Sequence, residues 1–101
     1  MSINTYHIFF MNLANPLKIS IIGELKRKEQ SVSGLSKKLR IEQSKLSHAL
    51  TSLRHCKIVL ARRKGKQKIY SLNKETILPI LKIIDIHERK HCKCCCRRLG
   101  K

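Results

Sequence analysis

Apolar residues along the first half of the chain recur at helical spacing. From Ile3 to Leu13 they set Phe9, Phe10 and Leu13 on one side and predict a first helix. Asn15-Pro16 marks a new start, because asparagine is a good N-cap and proline is tolerated at the first helical position. Leu17, Ile21, Ile22 and Leu25 then form one buried face, and Lys26-Arg27-Lys28 places cations at the negative end of the helix dipole. A third helix, capped by Ser31 or Ser33, carries Leu35 and Leu39. Arg40-Ile41 makes a turn, with Ile41 tucked into the core. A fourth helix from Gln43 to Arg54 buries Leu46, Leu50 and Leu53, and Glu42 stands at its start as a poor cap. The period then changes. Ile58 to Ala61 and Gln67 to Leu72 flank Gly65 with alternating or β-branched residues, which predicts a hairpin. Asn73 is read as the cap of a last helix from Lys74 to His91, with Pro79 early enough to do little harm.

That last helix carries Ile77, Leu78, Ile80, Leu81, Ile83, Ile84 and Ile86, apolar on nearly all sides. A chain of 101 residues has room for one domain and a modest core. It cannot bury so much at its own end. The surplus predicts a homodimer seam shared by the first and last helices, with Phe9, Phe10, Leu13, Ile80, Ile83 and Ile84 in it. Residues 1–91 form the expected domain, and residues 92–101 form a basic, cysteine-rich tail.

Charge narrows the function. Lys and Arg number 23 against 6 Asp and Glu, a formal net charge of +17. Such an excess opposes a compact fold by self-repulsion unless a polyanion is near. Nucleic acid is the first candidate, an anionic membrane surface the second, and a merely solvated basic surface the third. No run of about 18 uncharged apolar residues occurs, so no membrane span is expected. The opening Met1-Ser2-Ile3-Asn4-Thr5-Tyr6-His7 lacks the marks of a signal peptide, and a cytoplasmic protein with mostly reduced thiols is expected. Six scattered acids and no nucleophile–base arrangement argue against an enzyme and against a small-molecule substrate.

The fourth helix leaves Gln43, Ser44, Lys45, Ser47, His48 and Thr51 on its polar face, residue types that reach base edges and phosphates. The hairpin crowds Arg62, Arg63, Lys64, Lys66 and Lys68 around one turn, where they can grip the backbone of double-stranded DNA or its minor groove. Helix, turn, polar helix and basic hairpin together spell a mainly α fold with a small β-hairpin wing: a winged helix-turn-helix of five helices.

The order of elements resembles the ArsR-type family of winged-helix repressors over nearly the whole chain, from Leu13-Ala14-Asn15-Pro16-Leu17 onward. The best-matched stretches are Gln43-Ser44-Lys45-Leu46-Ser47-His48-Ala49-Leu50, Leu53-Arg54 and Ile69-Tyr70-Ser71-Leu72-Asn73. The resemblance implies a homodimer on an inverted-repeat operator, joined through its first and last helices, with Gln43, Ser44, Lys45, Ser47 and His48 at DNA-contacting positions. Lys57 stands where the family often has a glycine ending the reading helix, and a less tightly turned helix end is expected there.

Many members of that family release DNA when a metal or metalloid binds. One family site uses Cys-Val-Cys at the start of the third helix, where this chain has Ser31-Val32-Ser33, and serine does not replace a thiolate. For the site on the last helix only His87 matches; Lys74 and Thr76 stand where ligands are needed. What remains is the tail: His87, His91, Cys92, Cys94, Cys95 and Cys96. Thiols and imidazoles so close suit a soft ion such as Cu(I), Cd(II), Zn(II) or trivalent arsenic, and neighbouring Lys93, Arg97 and Arg98 favour thiolate. The spacing is not that of a zinc knuckle, so redox sensing and incidental thiols stay open beside metal binding. Cys56 is read as a small buried hydrophobe. Two other functions fit the same residues: an architectural protein that coats DNA without reading it, and a metal- or redox-handling protein whose winged helix contacts protein.

Overall fold

A computed structural model of the protein describes residues 3–91. Its elements run α1 (Ile3–Leu13), α2 (Pro16–Arg27), β1 (Gln30–Ser31), α3 (Val32–Leu39), α4 (Gln43–His55), β2 (Val59–Lys64), β3 (Gln67–Leu72) and α5 (Ile77–His91). This is the expected mainly helical fold with a small wing. The caps explain the boundaries. Asn15 Oδ1 accepts from Lys18 N at 3.0 Å ahead of Pro16, and of the two serines offered for α3 it is Ser31 that caps, accepting from Gly34 N at 3.1 Å. Among the described residues no helix is long and apolar enough to cross a membrane.

The core sits where α2, α3 and α4 meet the sheet. Ile21, Leu35, Leu46, Leu50, Leu53 and Ile58 are wholly buried there. Each contributes about 1.5–3 kcal/mol of transfer free energy. Leu46, Leu50 and Leu53 come from one stripe of α4, so burying them fixes which face of that helix turns outward.

Five features depart from the sequence reading. A two-residue strand, β1, joins the hairpin to give a sheet of order β1-β3-β2, with Gln30 opposite Tyr70 and Ser31 opposite Ile69. No apolar alternation can announce so short a strand. Strand β2 starts at Val59 and runs on to Lys64, three residues past the expected Ala61, because Lys64 pairs with Gln67 across a two-residue loop. Gly65 takes φ +64° there, and Lys66 does not share it, as in a type II′ turn.

The last helix begins at Ile77, not Lys74. Asn73 still makes the bonds of the expected cap, its Oδ1 accepting from Glu75 N at 3.2 Å and its carbonyl from Ile77 N at 2.9 Å. A further bond from Thr76 N to that carbonyl at 3.3 Å winds residues 74–76 into a tighter turn before the regular helix. Pro79 thereby falls in the first turn, where an amide hydrogen has no intrahelical acceptor.

The end of α4 is also tighter than expected. Lys57 adopts φ +60°, Ile58 N donates to Leu53 O at 3.0 Å and Lys57 N to Arg54 O at 3.0 Å. These are the paired bonds of a Schellman motif, with the wholly buried Leu53 and Ile58 as its apolar contact. A lysine thus occupies the left-handed position that glycine would fill without strain. Finally, Cys56 is half-buried, a free thiol whose Sγ accepts from Asn12 Nδ2 at 2.9 Å, and so is no plain hydrophobe.

Candidate nucleic-acid interface

Helix α3, a left-handed Arg40 (φ 58°) and α4 form the helix-turn-helix. The turn is stapled by Ser36, whose Oγ donates to Ile41 O at 2.6 Å and whose carbonyl takes Arg40 N at 2.8 Å. Beyond it, Glu42 makes no side-chain capping bond to α4. The first amides of α4 are therefore free to meet an anion at the positive end of the dipole.

On α4, Gln43, Ser47, Thr51 and Arg54 recur at helical spacing and line one groove of about 460 Å³. The wing supplies Gln67, Lys68 and Tyr70 to its other wall. Gln43, Ser44, Lys45, Ser47, His48 and Thr51 are all exposed, as DNA contacts require. The side-chain bonds qualify two of them. Gln43 Nε2 donates to Ser33 Oγ at 3.4 Å, and Thr51 Oγ1 donates to Ser47 O at 2.9 Å, which leaves Thr51 only its acceptor lone pairs. Lys45 lies at about half a turn from the line through Gln43, Ser47 and Thr51, on a flank suited to phosphate rather than to base edges. Arg54 was missed by the sequence reading; its spacing of seven and three from Ser47 and Thr51 was the available signal.

The wing divides its charges between two faces. Alternation along antiparallel strands puts Arg63 and its partner Lys68 with Ala61 and Tyr70, the face toward α4. Arg62 and Lys64 lie on the opposite face, and Lys66 is in the loop. Arg62 is engaged there: its guanidinium forms a bidentate pair with Glu29, Nη2 donating to Oε2 at 2.8 Å. That hydrogen bond holds the Glu29 carboxyl below its ordinary value, against an opposing desolvation, and raises Arg62. Arg62 thus joins the wing to the segment before β1, and its charge is already met.

The serines at the start of α3 are used as serines. Ser31 caps the helix and Ser33 holds Gln43. Neither offers the thiolate that a soft ion needs at the family's α3 site. On α5, Asp85 pairs with Lys26 at 3.7 Å and the His87 and His91 rings lie 5.0 Å apart. Among the described residues no cluster of three or more His, Cys, Asp or Glu can hold a metal ion. Cys92, Cys94, Cys95 and Cys96 lie outside the described residues.

The residues expected at a dimer seam separate into two groups. Phe9, Leu13 and Ile80 are half-buried against the core, whereas Phe10, Ile83 and Ile84 are 60%, 66% and 49% exposed. Tyr6, Ile8 and Met11 on α1 and Ile86 on α5 are exposed beside them.

Comparison with known proteins agrees with this geometry. Residues 15–61, from the cap of α2 into β2, match the model of the family described as bacterial regulatory protein, arsR family. The nodulation protein NolR of Rhizobium meliloti is 34% identical over 73 residues, 72% of this chain and 60% of NolR. The chain thus spans well under two thirds of that relative's length. The HTH-type transcriptional regulator Rv0081 of Mycobacterium tuberculosis is 38% identical over 76 residues, 74% of this chain and 67% of that protein. Its crystal structure superposes with a TM-score of 0.81 at 31% identity, covering 89% of this chain and 91% of the other. The homodimeric winged helix-turn-helix domain of Mb0332 from Mycobacterium bovis shares the fold at a TM-score of 0.80 and 20% identity, over 89% of this chain and 83% of that one. By sequence, by element order and by the form of its helix-turn-helix and wing, the chain belongs to the arsR family of bacterial regulatory proteins.

Proposed function

We propose that the protein is a DNA-binding transcriptional repressor that recognises an inverted-repeat operator as a homodimer. The observation that carries this is the groove that sets Gln43, Ser47, Thr51 and Arg54 of α4 against Lys68 of the wing. An α-helix with such a face enters the major groove, where Gln43 and His48 present donors and acceptors to base edges. The uncapped start of α4, with Lys45, Arg63 and Lys68, takes the flanking phosphates. The exposed apolar faces of α1 and α5, centred on Phe10, Ile83 and Ile84, join two copies. Two reading helices then face successive turns of the duplex, and a repressor acts by occupying that site.

Selecting duplexes from a random pool tests the proposal. Enrichment of an inverted repeat with half-sites about ten base pairs apart is the expected result. Recovery of sequences with no common motif would overturn it and favour an architectural DNA-coating role, for which the +17 charge is the supporting observation.

A soft metal ion or an oxidant as effector is a separate proposal. Its support is the composition of the tail and the His87–His91 pair that leads into it. Release of DNA on adding Cd(II), Cu(I), trivalent arsenic or oxidant, abolished when Cys92, Cys94, Cys95 and Cys96 are changed to serine, is expected. An identical response of the two proteins would exclude the tail as a sensor.

A further inference from the structure

Asn12 is a polar side chain only 5% exposed, and it lies outside everything assigned to DNA contact above. Its amide is the hub of a network that joins three helices. Oδ1 accepts from Lys18 Nζ of α2 at 2.8 Å and from Ser52 Oγ of α4 at 2.9 Å, while Nδ2 donates to Cys56 Sγ at 2.9 Å. Lys18 Nζ closes the ring by donating to Ser52 Oγ at 3.0 Å. Of the apolar side chains on α1, Phe9 and Leu13 pack against the core, while Tyr6, Ile8, Phe10 and Met11 are exposed.

Ser52, in the last turn of α4, and Cys56, its C-cap, stand about one turn apart, so Asn12 holds the end of that helix at two points. The buried leucines set which face of α4 turns outward, and a directional two-point hold narrows the rotation about its axis further. The pair lies on the flank of α4, between its buried stripe and its outward face. Rotation there translates directly into where Gln43, Ser47 and Thr51 point. The other exposed apolar helix is tied to the same end: Asn73 Nδ2, just before α5, donates to Lys57 O at 2.9 Å.

We infer that Asn12, through Ser52 and Cys56, is a positioning residue that sets the angle of the reading helix relative to the dimer seam, and so the half-site spacing the protein accepts. The inference rests on the two-fold DNA reading proposed above. Apolar side chains alone would serve α1 as a stability element. A buried amide donating and accepting toward α4 adds direction, at the cost of desolvating polar groups.

The test uses the full chain and duplexes carrying two copies of the half-site selected by the wild type, with the centre-to-centre spacing varied by one and two base pairs. A Ser52→Ala, Cys56→Ala double variant removes both attachments on α4 and leaves the Asn12–Lys18 bond in place. Wild type is expected to prefer one spacing over its neighbours by roughly tenfold or more. The double variant is expected to keep its helical content and its affinity for the best site within a few-fold, while the spacing preference flattens to about threefold or less. Ser52→Thr, which keeps the hydroxyl, should retain the preference. Equal weakening at every spacing, with the preference intact, would mark the network as merely structural and overturn the inference. A double variant that does not fold passes the decision to Ser52→Ala alone, read on the same spacing series. A wild type that selects a motif but tolerates all spacings would also overturn it. A wild type that selects no motif would refute the two-fold reading itself.

Discussion

Lys57 occupies left-handed backbone (φ +60°) in a turn whose hydrogen bonds are complete. An L side chain there costs about 1–2 kcal/mol relative to glycine, part of which returns through the unfolded chain. Lys57→Gly is therefore expected to raise unfolding free energy by about 0.5–1 kcal/mol, measured by denaturant titration. A loss of stability would show that the lysine side chain itself contributes. The unusual position was legible in the residue order but the geometry was not, since the Schellman bonds belong to the backbone around Leu53 and Ile58 and hold whichever residue is present. Glu29 presents the opposite case. Its pairing with Arg62 spans distant parts of the chain, and no local pattern announces it. Its carboxyl pKa is depressed below 4.5, as is that of Glu24, chiefly through hydrogen bonds from Arg62 and Gln30 respectively. Each bond's stabilisation is present above pH 4.5 and is lost as pH falls through the lower folded value. Thermal midpoints should drop on acidification below 4.5, and Glu29→Gln should shrink that drop. The same substitution removes an acid beside the wing, so affinity for any duplex should rise modestly while the salt slope stays nearly unchanged, since Arg62 lies on the face away from α4.

Helix α4 reads differently along its length. Its buried stripe of Leu46, Leu50 and Leu53 was legible from spacing, and so was the exposure of Gln43, Ser47 and His48. The use of Ser31 and Ser33 was not, because one caps its own helix while the other reaches Gln43 across the turn. Ser31→Ala should cost about 1 kcal/mol through loss of the cap, read as a lower denaturation midpoint. The wing was legible as a basic hairpin, yet not as a sheet with two unlike faces. Strand β1 supplies its third member, and pairing alone decides that Arg63 and Lys68 turn toward α4 while Arg62 does not. Lys68→Ala is expected to lower the log–log salt slope by about 0.9, whereas Arg62→Ala leaves it nearly unchanged. Equal effects would mean that both faces meet DNA.

At the scale of the molecule, the apolar surplus on α1 and α5 was visible in the sequence as more isoleucine and phenylalanine than one small domain can bury. The structure divides that surplus, assigning Phe9, Leu13 and Ile80 partly to the core and leaving Phe10, Ile83 and Ile84 outside. The polar hub beneath it could not be read from pattern, since Asn12, Lys18, Ser52 and Cys56 are ordinary residues until folding brings them together. Ile83→Glu is expected to convert a dimer into a monomer of 11.7 kDa in sedimentation, with helical content preserved. Everything proposed here depends on α4 reading base edges. The most direct measurement is a fluorescence anisotropy titration of the selected inverted repeat and a scrambled duplex, at one fixed salt concentration, with wild type and a Gln43→Ala, His48→Ala double variant. Wild type should prefer the repeat by about a thousandfold or more, and the variant should bind both duplexes with nearly the wild type's affinity for the scrambled one. A wild type that binds both duplexes alike, or a double variant that keeps the full preference, would contradict it.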